Sequence, residues 1–240
     1  MSKQGRLSLS SLRVPQALRP SRSIPVTPWR SQSRWKARPS TLVVLIAGLW
    51  LFGTGEALLV VAELGNGPWT VLAEGVSSRT SLSIGFATFA ISLVVLALWI
   101  PLRERPGLGT IANAVVIAAA LQVGVWFLPH PDPTWLKLVF VFAGVALIGL
   151  GSGLYLTTNL GPGPRDGWMT GIHHKFDIPV SRVRLGIEVT VLALGWLLGG
   201  TVGLGTVIFA LLIGPSVGWG LRLMDRGVRV PTQSEPELEA

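Results

Sequence analysis

The sequence predicts an all-α, polytopic membrane protein: a bundle of six transmembrane helices built as two inverted three-helix repeats. Three observations predict it. Of the 240 residues, 49% are hydrophobic and only 13% are charged, too little charge for a water-facing surface of this size. The apolar residues gather in runs of roughly 20, the length that crosses a hydrocarbon core as helix. Finally, Leu-Gly-Asn-Gly-Pro-Trp at 64–69 returns as Leu-Gly-Pro-Gly-Pro-Arg at 160–165, 96 residues on.

The elements follow in chain order. Residues 1–40 hold nine Lys or Arg and no Asp or Glu. This Ser-, Pro- and Arg-rich stretch has no apolar period and is expected to be a disordered basic cytoplasmic tail. A span follows at once, so anionic lipid is its expected partner and nucleic acid is not. Spans are expected at 41–63, 82–100, 110–128, 135–158, 183–199 and 205–223, the fifth being the shortest. The first repeat is 41–128, the second 133–224, and 225–240 is a short cytoplasmic C-terminal tail. With the N-terminus inside, eighteen Lys or Arg fall on cytoplasmic segments and two, Arg79 and Lys137, on the outside, so both termini are expected in the cytoplasm of a plasma-membrane protein. Trp99, Trp126 and Trp135 lie near span ends, where indoles favour the interface. The chain has no Cys, which excludes disulfides and thiolate sites.

The 96-residue offset extends far beyond the opening phrase. From Thr41 to Gly124, 26 of 84 positions are identical to their partners without a gap, among them Gly53, Gly55, Gly107 and Gly109. Three spans per copy is an odd number, so the second copy enters from the opposite side. The predicted pseudo-two-fold axis lies in the membrane plane, an architecture common in secondary transporters. Each Gly-x-Gly-Pro phrase stops a span with a left-handed glycine and starts a new helix with proline. Gly65, Asn66, Gly67 and Pro68 form the first break; Gly161, Gly163, Pro164, Arg165 and Asp166 belong to the second. Short helices are expected at 68–77 and 164–175, either lying along the interface or dipping in as half-helices whose N-terminal amides face the bilayer interior.

The phrase LGPGPRDGWMTGI at 160–172, followed by Arg184 and Glu188 and by GWLLGGTVGLGTVIFALLIGP at 195–215, resembles the YczE-like bacterial membrane proteins of the YitT/YczE group. LGNGPWTVL and RPGLGTIANAVVI match as the first-half counterparts. The resemblance covers about 41–224. It implies a polytopic bacterial plasma-membrane protein and names no substrate.

Charge inside a span is costly and marks a cavity or a partner. Glu56 and Glu188 are the sharpest candidates, for proton coupling. Glu56 aligns with Ser152 and Ser92 aligns with Glu188, so each half carries one acid and one serine at exchanged positions. Arg184 stands one turn before Glu188, so an ion pair is the competing reading. Asn113 and Gln122 are expected to hydrogen-bond between helices. Asp166 suits the first turn of its helix, where it complements the dipole, and Arg165 either attracts an anion or follows the positive-inside bias. His173 and His174 have no acid or third His at ligand spacing, so no metal or other cofactor is expected. Phosphate-loop and zinc-protease motifs are absent, and no enzyme is expected. Two functional readings stay open: a small-solute transporter or permease, and a membrane accessory or regulatory protein that acts through a partner protein.

Overall fold

A computed structural model of the chain describes residues 24–226. Every regular element among them is helical: α1 (Pro39–Ala62), α2 (Pro68–Arg79), α3 (Ile84–Ala97), α4 (Leu108–Phe127), α5 (Thr134–Thr157), α6 (Pro164–Phe176), α7 (Val180–Leu197) and α8 (Leu204–Arg226), with a 3-10 turn at Ile100–Leu102. Helices satisfy their backbone groups internally, which lipid demands. Five stretches are long and apolar enough to cross a membrane: Pro39–Ala62, Ile84–Leu102, Leu108–Phe127, Thr134–Thr157 and Leu204–Asp225. The helix found where the fifth of six spans was expected, α7, is not among them. It is 18 residues long and contains Arg182, Arg184 and Glu188, too many ions for so short a helix. Large apolar side chains such as Val43, Phe86, Phe142, Val207 and Leu211 point outward, as they do where lipid is the solvent. Together these features make a multi-pass helical membrane bundle.

α1 and α5 end alike. Glu63 takes φ 54° and Gly65 φ 105°; Asn159 takes φ 58° and Gly161 φ 112°. A Cβ at Gly65 or Gly161 would be strained by that backbone and crowded by Thr206 Oγ1 or Thr110 Oγ1 respectively. An extended glycine, Gly67 or Gly163, then precedes a proline that opens the next helix. The short helices expected after each break therefore form, as α2 and α6. α2 is no free interfacial helix: it packs on α3 and α7 and buries Trp69, Val71 and Ala73.

α1 sits between α4 and α5, and α5 also packs on α8; α2, α3, α6 and α7 form the flanking group. α1 and α5 cross antiparallel, glycine against backbone. A Cβ on Gly55 would lie 2.6 Å from the Gly144 carbonyl oxygen, and one on Gly144 2.7 Å from that of Gly55. Gly48 and Gly151 face each other in the same way. α8 runs unbroken through Pro215.

Two expectations are corrected. The basic tail is not disordered as far as residue 40. Residues 24–38 form a strap across the end of α5, in which Trp29 Nε1 donates to Thr157 Oγ1 at 3.0 Å, Ser31 N to Thr158 O at 2.9 Å, Asn159 Nδ2 to Ser31 O at 3.0 Å, and Leu108 N to Arg34 O at 2.9 Å. The strap supplies acceptors and donors to polar groups that α5 and α4 leave unpaired at their ends. Residues 1–23 and 227–240 of the two expected tails lie outside the described residues. Trp99 is not interfacial but 2% exposed, its Nε1 donating to Pro164 O at 2.9 Å. Trp126 and Trp135 are exposed.

Candidate functional site

The two helix breaks bring their short helices to one cavity of about 300 Å³, at the small end of ligand sites. Its walls come from α1 to α8 and include Glu56, Ser92, Ser152, Arg184, Glu188, Gly67, Pro68, Gly163, Arg165, Asp166 and Asn113. Of the other residues singled out in the sequence, Gly65 and Gly161 shape the turns behind it. Pro164 starts α6 beside it. Asn66 is fully buried elsewhere, and Gln122 bonds α4 to α3 by accepting from Gly85 N at 2.9 Å. The Asn113 side chain, expected to bond between helices as well, makes no hydrogen bond among the described residues; it lies against Gly163 at the cavity wall.

The charges meet across long sequence distances. Arg165 Nη1 lies 3.3 Å from Glu56 Oε1, and its guanidinium stands 5.1 Å from the centre of the Trp69 ring, within cation–π range. The Glu56 side chain is 5% exposed, and its Oε2 has no partner among the described residues. Thr88 Oγ1 is buried and unpartnered too. Asp166 stands in the first turn of α6, as expected, and also accepts from the Tyr155 hydroxyl at 3.1 Å; the N-cap, Gly163, makes no side-chain bond. Arg184 Nε donates to Glu188 Oε1 at 2.8 Å, the ion pair one turn apart, more exposed than Glu56. Ser92 Oγ donates to Thr88 O at 2.9 Å. The amides of Trp69, Thr70, Arg165 and Asp166 find no acceptor among the described residues, so both short helices present bare N-termini here.

Residues that the sequence reading missed seal one end of this region. Glu74 on α2 accepts from Asn66 Nδ2 at 3.0 Å, from Thr201 N at 2.7 Å and from Thr201 Oγ1 at 2.8 Å. Ser78 Oγ and Arg79 Nε both donate to Leu198 O at 3.0 Å. Beneath them a Cβ on Gly75 would lie 2.5 Å from Gly195 O, so α2 and α7 touch backbone to backbone. At the other end, 96 residues before Gly195, stands Trp99, whose indole fills the space against Gly167 of α6. There Lys175 Nζ donates to Pro101 O at 3.1 Å, and Asp166 and Arg184 are exposed. Two signals were available. Tyr155 is the only tyrosine in the chain and lies in an apolar run, where a phenol needs a partner. Glu74 is an acid within the short apolar phrase after Pro68. His173 Nδ1 lies 2.8 Å from Ile178 O and His174 Nδ1 3.4 Å from Glu104 Oε1; no group of three metal-ligating side chains occurs among the described residues.

Comparison with known proteins supplies a family and no activity. The chain is 42% identical over 210 residues to a Haemophilus influenzae protein described as uncharacterised, covering 88% of this chain and 96% of that one. It is 32% identical over 183 residues to the uncharacterised membrane protein YczE of Bacillus subtilis, covering 75% of this chain and 82% of the relative. The protein YyaS of the same bacterium is 25% identical over 173 residues, at 70% and 85% coverage. No solved structure matches at a significant level. Residues 39–222 match a family described as of unknown function, DUF6198, and the chain therefore belongs to that family, as a YczE-like helical membrane protein.

Proposed function

We propose that the protein is a small-solute transporter or permease of the bacterial plasma membrane. Six spans, with α7 as the fifth, form two inverted three-helix repeats that work by alternating access, and both termini are cytoplasmic. One observation carries this reading. Of the 23 residues lining the cavity, eighteen form nine pairs at the 96-residue offset, including Phe52 with Ile148, Glu56 with Ser152, Gly67 with Gly163, Trp69 with Arg165, and Ser92 with Glu188. A cavity lined by both members of so many pairs straddles the axis that relates the halves. Reciprocal contacts support the axis itself: Gly109 N donates to Leu160 O at 2.8 Å, and its counterpart Gly205 N donates to Leu64 O, the counterpart of Leu160, at 2.7 Å.

Alternating access needs two states of similar energy, each open at one end. The unequal ends fit one such state: α2 and α7 touch backbone to backbone at Gly75 and Gly195, while an indole, that of Trp99, stands between α3 and α6 and bridges them by its bond to Pro164 O. Within this reading Glu56 carries the coupling proton better than Glu188. Its second oxygen is buried without a donor, whereas Glu188 is satisfied by Arg184.

The test is a single cysteine at Ser152, which is buried at the cavity wall. In oriented vesicles, alternating access predicts that Ser152→Cys reacts with a membrane-impermeant thiol reagent from either side. Reaction from one side only, under every condition tried, would favour the accessory-protein reading.

A further inference from the structure

Within the transporter reading, on which this inference rests, the cavity's own chemistry narrows the solute. Two helix N-termini, those of α2 and α6, offer four amides with no acceptor among the described residues. Each N-terminus carries roughly half a positive charge and favours a carboxylate or similar anion. That alone would describe an anion site. The side chains argue otherwise: three acids, Glu56, Asp166 and Glu188, face two bases, Arg165 and Arg184. The side-chain balance is one negative charge, which the two helix ends roughly offset, so the site as a whole is close to neutral. A ligand with a net charge of either sign would be disfavoured.

Glu56 points to the second half of the ligand. It is one of two buried groups at the cavity with an unpartnered oxygen, and an ionised carboxyl oxygen accepts only from donors. An ammonium group is such a donor. Arg165 binds Glu56 and also covers the Trp69 ring, so the acid lies next to both bare helix ends. The acceptor for an ammonium and the donors for a carboxylate are therefore neighbours, as the two groups are on one α-carbon. The rest of the wall is apolar, with Phe52, Ile148, Met169 and Ile213.

We infer that the cavity binds a small α-amino acid zwitterion with an apolar side chain, its carboxylate on the amides of Trp69, Thr70, Arg165 and Asp166, and its ammonium on Glu56. The test is equilibrium binding to the purified full chain in lipid nanodiscs, by titration calorimetry, with three probes that share one isobutyl side chain: leucine, 3-methylbutylamine, which lacks its carboxylate, and 4-methylpentanoate, which lacks its ammonium. Leucine is expected to bind, and the amine and the acid to bind at least about tenfold more weakly, each lacking one set of charge-assisted hydrogen bonds. Glu56→Gln is expected to weaken leucine by about tenfold while narrowing its advantage over 4-methylpentanoate. The wild-type comparison stands even if that variant fails to fold. Equal binding of the acid would make this an anion site, equal binding of the amine a cation site, and binding of none would remove the amino-acid class; each overturns the inference. Binding needs no transport, so leucine binding with one-sided labelling at Ser152 would sink the transporter reading and spare the site. Two-sided labelling with no leucine binding would do the reverse.

Discussion

Glu56 and Arg165 are 109 positions apart and form the central ion pair of the cavity. Removing the cation alone leaves a buried carboxylate with neither oxygen partnered. Breaking such a pair costs about 3–5 kcal/mol when it is fully buried. Arg165 is 25% exposed, so Arg165→Met is expected at or below the lower end of that range. Adding Glu56→Gln should recover most of the loss. Thermal unfolding of the single and double variants in detergent checks this, and a double variant no more stable than Arg165→Met would mean that the pair is not what holds this wall. Glu74→Ala tests the seal at the other end. It strips Asn66 and Thr201 of their shared acceptor, and it should speed labelling of Ser152→Cys from the α2–α7 side. An unchanged rate would mean that the seal rests on the glycine contacts alone. The partner of Glu56 was not legible in the sequence. An acid in an apolar run announces that something must compensate it, but side-chain chemistry does not say which of several arginines will arrive.

At the level of the element, the two breaks were the most legible part of the chain. A left-handed glycine followed by an extended glycine and a proline is a local backbone instruction, and α2 and α6 begin where it puts them. Gly65→Ala and Gly161→Ala should each cost about 1–2 kcal/mol from the left-handed backbone alone, with more from the crowding at Thr206 and Thr110. Denaturation midpoints of the two variants check it, and a neutral outcome at either would show that its turn can relax. The strap was illegible for the opposite reason. Residues 24–38 have no apolar period of their own, and their order comes from hydrogen bonds to Thr157, Thr158 and Leu108 far along the chain. Trp29→Phe keeps a ring and removes the bond to Thr157. It is expected to cost about 1 kcal/mol, read as a fall in melting temperature together with faster proteolysis ahead of α1. α7 shows the limit of hydropathy. Its apolar residues promise a span, while its three ions keep it from qualifying by composition.

Across the whole molecule, α1 and α5 meet where Gly48 and Gly55 face Gly151 and Gly144. These glycines are each other's counterparts at the 96-residue offset, so the crossing is the place where a two-fold axis would pass. Small residues let helices approach closely in lipid, where packing takes the place of the hydrophobic effect. Gly55→Leu would drive side chain into the backbone of α5 and should cost at least about 1–3 kcal/mol, the usual penalty of overpacking. The topology has its own test, because the chain has no native cysteine. Single cysteines at Asp177 and Val202, which flank α7 and are both exposed, should label from opposite sides of the membrane if the repeats are inverted, one in intact cells and the other only after permeabilisation. Labelling of both from one side would remove α7 as a span and the two-fold axis with it.

The sequence by itself determined the solvent, the helices, both breaks and the spacing between the two copies. All of these follow from composition, hydrophobic runs and the backbone preferences of Gly and Pro, which act over a few residues. Tertiary structure alone decided that Arg165 answers Glu56, that Tyr155 answers Asp166, that Trp99 leaves the interface to stand where its counterpart is Gly195, and that a basic tail becomes a strap. These outcomes depend on which unsatisfied groups the packing of distant helices brings within about 3 Å of each other, and no pattern local to the chain encodes that distance.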